Sequence, residues 1–87
     1  MTIHRSTDQV QETITALVAE IGEVGRESLQ PGQVLRSDLD FDSLALAELV
    51  TAIKESLGVT ISDAQADALP TVGDVIRHVQ GALLVTD

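Results

Sequence analysis

An acidic, turn-like run meets an apolar run with helical spacing in the stretch Leu39-Asp40-Phe41-Asp42-Ser43-Leu44-Ala45-Leu46-Ala47-Glu48-Leu49-Val50. Asp42 is a favourable helix cap, and Gly58 is a typical helix stop. We therefore predict a helix from Ser43 to Leu57, with the Ser43 hydroxyl exposed at its start. Backbone N–H groups that lack an intrahelical partner favour an attached anion, such as a phosphate, at this position. The inward stripe of this helix consists of Leu46, Leu49, Val50, Ile53 and Leu57.

A second amphipathic helix is predicted near the start of the sequence. Either Ser6 or Thr7 can cap it. Glycines weaken the helical pattern near its end, so we expect the helix to stop between Glu20 and Val24. Its apolar stripe consists of Val10, Ile14, Leu17, Val18 and Ile21.

A third amphipathic helix is predicted near the end of the sequence. Thr71 can cap it, and Asp74 has the position and acidic character that a capping box requires. The stripe of this helix consists of Val72, Val75, Ile76, Val79 and Leu83. A shorter helix is predicted for residues 63–68, with Ser62 as its cap.

The connecting segments lack helical periodicity. Residues 25–42 form a long loop with a turn at Pro31-Gly32, and the pattern at residues 35–39 is compatible with a short helical turn. We expect its apolar side chains to pin it across the helices, and residues 59–61 to form an extended segment that fills the core. The predicted fold is all-α, a small antiparallel four-helix bundle with three main helices, one short helix and a long first loop. Residues 1–87 are expected to form one domain.

Composition excludes several classes of function. The formal charge of −9 disfavours binding to nucleic acid and favours partners with basic patches, and it also favours a monomer. The absence of cysteine excludes disulfides, thiolate metal sites and a cysteine nucleophile. No apolar run approaches the roughly 20 residues that a membrane span needs. We expect a cytoplasmic protein that does not associate with membranes.

Catalytic and metal sites are poorly supported by the sequence. A serine nucleophile needs a base, and the histidines are His4, near the terminus, and His78, on the last helix. The alternating aspartates that begin at Asp38 resemble a calcium loop, but Ser43 and Leu49 occupy the positions that require Gly and Glu. We therefore predict that the protein is not an enzyme and has neither catalytic residues nor a metal site.

Asp42-Ser43-Leu44, followed by a helix that contains Glu48-Leu49-Val50, closely resembles the modification site of acyl carrier proteins. The stretch Leu57-Gly58-Val59-Thr60-Ile61-Ser62-Asp63 looks like that family's loop between its second and third helices. Thr71-Val72-Gly73-Asp74 looks like the start of its final helix. The resemblance covers nearly the whole chain, and the helix order agrees with that fold.

The resemblance implies that Ser43 receives 4′-phosphopantetheine from coenzyme A through a separate, magnesium-dependent phosphopantetheinyl transferase. The distal thiol of this arm would hold an acyl group as a thioester. Asp42 would cap the helix and contact the transferase, and Leu44 would be an exposed apolar contact. Glu48 would add to a negative face that meets basic patches on acyl-loading, synthase and acyl-transferring enzymes.

The pathway is less closely defined by the resemblance. Fatty-acid-like, polyketide and other specialised biosynthesis all fit the resemblance. However, Ala45 and Lys54 make the predicted helix from Ser43 to Leu57 less acidic than the second helix of the family usually is. This departure favours a specialised pathway. Asp42 favours an acyl load over a peptidyl or aminoacyl load, which stays open as an alternative. The other alternative is an unmodified helical interaction module with the carrier fold.

Overall fold

The structure, a computed structural model, describes the backbone of residues 7–84 and the side chains of residues 9–83. Regular secondary structure in residues 7–84 is helical, with one isolated antiparallel bridge between Val34 and Thr71. The α-helices are α1 Thr7–Gly22, α2 Leu35–Asp38, α3 Ser43–Leu57, α4 Asp63–Asp67 and α5 Val72–Leu84. The predicted helices correspond to α1, α3, α4 and α5, and α2 is the helical turn expected in the long loop. Ser6, His4 and the side chain of Thr7 lie outside the described part of the structure, in which α1 begins at Thr7.

The core is an aliphatic cluster between the three long helices. α1 packs against both α3 and α5, so it holds the bundle together. The cluster contains one aromatic residue, Phe41, which is 3% exposed. The other buried members are Val10, Ile14, Val18, Leu35, Leu39, Leu49, Ile53, Leu57, Val59, Ile61, Val72, Val75, Ile76 and Val79. Most residues of the predicted stripes therefore lie in the core, and burial of this apolar surface supplies the main stabilisation of the fold. The remaining stripe residues are partly buried and pack against the cluster: Leu17, Ile21, Leu46, Val50 and Leu83.

The ends of α3 lie where the sequence predicts them. The Asp42 carboxylate accepts a hydrogen bond from the Ala45 backbone N–H at 2.8 Å, which satisfies one of the free donors at the helix start. At the other end, Gly58 adopts a left-handed backbone with φ 74°, and its N–H donates to the Lys54 carbonyl at 2.9 Å. These two caps fix the helix to residues 43–57.

The end of α1 uses the same left-handed geometry without glycine. Glu23 has φ 59°, and its N–H donates to the Glu20 carbonyl at 3.3 Å. The N–H of Val24 donates to the Ala19 carbonyl at 3.0 Å, which completes a Schellman motif. A side chain at a left-handed position is strained, so the helix stops here at some cost in stability.

The first loop is held against the start of α5 by backbone hydrogen bonds. The N–H of Leu35 donates to the Pro70 carbonyl at 2.9 Å, and the N–H of Val72 donates to the Gln33 carbonyl at 3.1 Å. The N–H of Gly73 donates to the Pro31 carbonyl at 2.9 Å. The loop also contains a short 3₁₀ helix, Arg26–Ser28, which the sequence did not predict. The buried side chains of Leu35, Leu39 and Phe41 pin the loop to the core, as expected.

The two shorter connecting segments, between α3 and α4 and between α4 and α5, each end in a capping box. Ser62 Oγ accepts from the Gln65 N–H at 3.1 Å, and the Gln65 side chain accepts from the Ser62 N–H at 2.9 Å. Thr71 Oγ1 accepts from the Asp74 N–H at 3.0 Å, and the Asp74 carboxylate accepts from the Thr71 N–H at 3.3 Å. The pKa of Asp74 is lowered, first by hydrogen bonding to the Thr71 side chain, then by the Thr71 N–H and by Arg77.

Candidate functional site

Ser43 is exposed at the first position of α3, immediately after two residues with structural roles. Phe41 is buried in the core, and its N–H donates to the Leu35 carbonyl at 2.9 Å. Asp42 is exposed and caps the helix. The chain therefore passes from core to solvent within two residues, and this fixes the backbone that presents the Ser43 hydroxyl.

An exposed face of α3 begins next to Ser43. Leu44 is 68% exposed, which is unusual for a large apolar side chain in a small helical protein. Glu48 is also exposed and follows one turn later, so the two side chains lie on the same side of the helix. This face forms a shallow depression of about 380 Å³ lined by Leu44, Ala47, Glu48, Thr51, Ala52 and Glu55. The three predicted recognition residues, Asp42, Leu44 and Glu48, are thus accessible beside Ser43.

An open groove of about 330 Å³ lies on the other side of Ser43. It runs between α3 and α4, and its walls combine charged side chains with small apolar ones. The lining residues are Arg36, Ser43, Leu46, Ala47, Val50, Asp63, Ala66 and Asp67.

The space deeper between α3 and α4 is nearly closed. The apolar cavity there measures about 10 Å³, roughly the volume that one water-sized probe occupies. Its walls are Leu35, Leu46, Leu49, Val50, Ile53, Ile61, Ala66, Leu69 and Val75. An acyl chain does not fit into this cavity in this conformation.

The sequence did not single out two of the groove residues. Arg36 of α2 and Asp67 of α4 are 31 positions apart, and they form an ion pair at 3.4 Å. No local pattern in the sequence connects two surface charges at this separation. His78 is half-buried on α5 and does not line the groove. Among the side chains of residues 9–83, no group of three or more His, Cys, Asp or Glu residues is placed to hold a metal ion.

Comparisons with known proteins agree with this geometry. Residues 12–79 match the family model described as "Phosphopantetheine attachment site". The chain is 31% identical over 77 residues to an acyl carrier protein from Acidothermus cellulolyticus, with 88% of this chain and 92% of the relative covered. It is 38% identical over 69 residues to an acyl carrier protein from Helicobacter pylori strain G27, with 79% and 88% covered.

A solved structure is also similar. It is that of a Mycobacterium tuberculosis protein described as a candidate acyl carrier protein, and it superposes with a TM-score of 0.77 at 36% sequence identity. The match covers 84% of this chain and 97% of the M. tuberculosis chain. Sequence and fold therefore point to the same family.

The chain belongs to the acyl carrier protein family, as the resemblance at Asp42-Ser43-Leu44 predicted. Members of this family bind phosphopantetheine and carry acyl groups, so the protein is a carrier that works with partner enzymes and is not itself an enzyme. No helix within residues 7–84 is long and apolar enough to cross a membrane.

Proposed function

We propose that Ser43 is the residue to which 4′-phosphopantetheine is attached. The observation that carries this proposal is the position of Ser43, exposed at the start of α3 and within the matched span of residues 12–79. The N–H groups and dipole at a helix start stabilise a negative charge, so a phosphodiester is favoured there. When bound, the arm supplies the terminal thiol that holds an acyl group as a thioester.

In the attachment step, this chain supplies the attacking oxygen and the backbone that holds it. The Ser43 oxygen forms a bond to the phosphorus of coenzyme A that bears pantetheine, and the pyrophosphate bond breaks as the nucleotide part leaves. No histidine is among the described residues that line the groove at Ser43, so we assign the acceptance of the hydroxyl proton to a base of the phosphopantetheinyl transferase. The capped start of α3 holds the hydroxyl in place during the transfer.

Mass spectrometry tests this proposal directly. The protein is incubated with coenzyme A, Mg²⁺ and a broad-specificity phosphopantetheinyl transferase. We expect a mass gain of one arm in the wild type and none in Ser43→Ala. Ser56→Ala is the matched control, since Ser56 is an exposed serine near the other end of α3 and should not affect loading. Loading of Ser43→Ala, or failure to load the wild type, would overturn the proposal.

We further propose that Asp42, Leu44 and Glu48 form the surface that partner enzymes recognise. Leu44 offers apolar area, and the two carboxylates offer charge to basic patches on the transferase and on acyl-loading, synthase and acyl-transferring enzymes. Full burial of a leucine at an interface is worth about 1.5–3 kcal/mol. Much of this stabilisation is lost when the side chain is truncated.

Leu44→Ala tests the docking surface. We expect KM for the transferase to rise roughly five- to thirty-fold, as a loss of about 1–2 kcal/mol implies. Val24→Ala is the matched control, because Val24 is another exposed apolar side chain, 36% exposed, and does not line the α3 depression. Equal KM values for the two variants would show that Leu44 is not a docking residue.

We also propose that the carrier serves a polyketide or other specialised pathway, that residues 1–87 form one domain, and that the protein is a monomer. The charge pattern of α3 supports the first point, since the exposed Lys54 lies beside Glu55. A partner with a uniformly basic patch would be repelled at Lys54. The charge of −9 supports the last point, because copies of the chain repel one another. Transfer assays with enzymes of both pathway types, and light scattering, test the first and the last point.

A further inference from the structure

The groove beside Ser43 is crossed by one loose ion pair. Arg36 and Asp67 are 55% and 71% exposed, and a single contact of 3.4 Å joins them. Charge-assisted hydrogen bonds of this type are usually about 2.7–2.9 Å long, and exposed ion pairs of this kind contribute little to stability. The guanidinium of Arg36 is therefore free to exchange Asp67 for a stronger anionic partner.

Attachment of the arm places a new anion in this groove. The phosphodiester on Ser43 carries a negative charge, and the carboxylates of Asp63 and Asp67 line the same groove. These carboxylates repel the phosphodiester. Among the described residues that line the groove, Arg36 is the one cation. A phosphate also suits a guanidinium well, because its oxygens can accept two parallel hydrogen bonds.

We infer that Arg36 is a positioning residue for the arm. On loading, its guanidinium leaves Asp67 and binds the phosphodiester on Ser43, which keeps the first part of the arm in the groove between α3 and α4. This inference rests on the proposed attachment at Ser43. The exchange also removes the ion pair between α2 and α4, so the loaded and unloaded carriers differ at an exposed surface that partner enzymes can contact.

The exchange predicts opposite effects for the two halves of the ion pair. Removal of the Arg36 charge should release the arm from the groove. Removal of the Asp67 charge should strengthen the hold on the arm, because the guanidinium then has no competing carboxylate at that position. A merely structural ion pair would give the same result for both variants.

Nuclear magnetic resonance of the loaded protein tests the inference. Coenzyme A labelled with ¹⁵N in its pantetheine amides is used to load the wild type, Arg36→Gln and Asp67→Asn. We expect the arm amide nearest the phosphate to be more mobile in Arg36→Gln than in the wild type, and less mobile in Asp67→Asn. The Arg36 Nε–H signal of the wild type should also shift between the unloaded and loaded forms.

Arg26→Gln is the matched control, because it removes the same charge at an exposed arginine that does not line the groove. Its arm mobility should equal that of the wild type. Equal arm mobility in Arg36→Gln and the wild type, or an Arg36 signal unchanged by loading, would overturn the inference. A change in the same direction in Arg36→Gln and Asp67→Asn would also overturn it. Failure of the wild type to gain the mass of the arm is a different result, which refutes attachment at Ser43.

Discussion

Asp42 has two tasks that two substitutions can separate. Its carboxylate accepts the Ala45 N–H at 2.8 Å and so caps α3, and we propose that the same carboxylate, exposed beside Ser43, also contacts the transferase. Alanine removes both the acceptor and the charge, whereas asparagine keeps an acceptor oxygen and removes only the charge. Asparagine and aspartate are about equally good helix caps.

The expected stability changes follow from the cap. Asp42→Ala should lower the free energy of unfolding by about 1 kcal/mol, within the range of about 0.5–2 kcal/mol found for lost caps. Asp42→Asn should lower it by only a few tenths of a kcal/mol, because it loses the interaction of a charge with the helix dipole and keeps the hydrogen bond. Urea denaturation of the unloaded protein measures both values.

The expected effects on loading are different. Both variants would lose the proposed contact between the carboxylate and the transferase, and a hydrogen bond to a charged group is worth about 1.5–3 kcal/mol. We expect kcat/KM for loading to fall roughly ten- to a hundred-fold in both Asp42→Ala and Asp42→Asn. Asp40→Asn is the control, since Asp40 is an exposed aspartate two residues earlier that does not cap the helix.

Three results would refute this reasoning. Unchanged stability in Asp42→Ala would show that the cap contributes nothing to α3. A loss of stability in Asp42→Asn as large as in Asp42→Ala would show that the charge, and not the hydrogen bond, stabilises the helix start. A reduction of loading in Asp40→Asn as large as in Asp42→Asn would show that the transferase responds to the general charge of the loop.

Three further predictions concern stability and are measured by urea denaturation. Glu23→Gly should raise the free energy of unfolding by about 0.5–1 kcal/mol. It removes about 1–2 kcal/mol of backbone strain at φ 59°, and the greater entropy of glycine in the unfolded chain offsets about 0.5–1 kcal/mol of this gain. A lower free energy of unfolding would contradict this reasoning. Gly73→Ala should lower the free energy of unfolding by about 1 kcal/mol, since the new Cβ would lie 3.0 Å from the Pro31 carbonyl oxygen. Gly81→Ala in the same helix is the control, because its Cβ would meet nothing within 4 Å, and it should be stabilising. The pKa of Asp74 is lowered in the folded state, so the stability that its carboxylate contributes is fully present above its ordinary pKa of 3.8. This stability is lost as the pH falls through the pKa of the folded state. Asp74→Asn should therefore reduce the acid sensitivity of stability, and parallel pH profiles for variant and wild type would contradict the assignment.

The long helices and their ends could be predicted from the sequence because their signals are local. Asp42 and Gly58 each satisfy a backbone requirement at one end of α3, and Ser62 and Thr71 do the same for the helices that follow. The exposure of Leu44 also follows from a local pattern, since it lies off the centre of the apolar stripe.

Other features depend on contacts between distant parts of the chain. Backbone hydrogen bonds hold the first loop, and such bonds leave no trace in side-chain pattern. Leu46 and Val50 belong to the predicted stripe of α3 but are only half-buried, because the five-residue α4 is too short to cover them. The groove beside Ser43 exists for this reason. The lengths of neighbouring helices, and not the pattern of any one helix, determine its shape.

The position of Ser43 depends on residues far from it in the sequence. The buried ring of Phe41 sets where the chain enters α3, and Phe41 is held by a hydrogen bond to the Leu35 carbonyl. The N–H of Leu35 is in turn bonded to the carbonyl of Pro70, two residues before α5. The backbone before Ser43 is therefore connected to the segment before α5 through two hydrogen bonds and one buried ring. These contacts hold the proposed attachment point in a fixed position relative to the core, so partner enzymes would meet the arm at the same place.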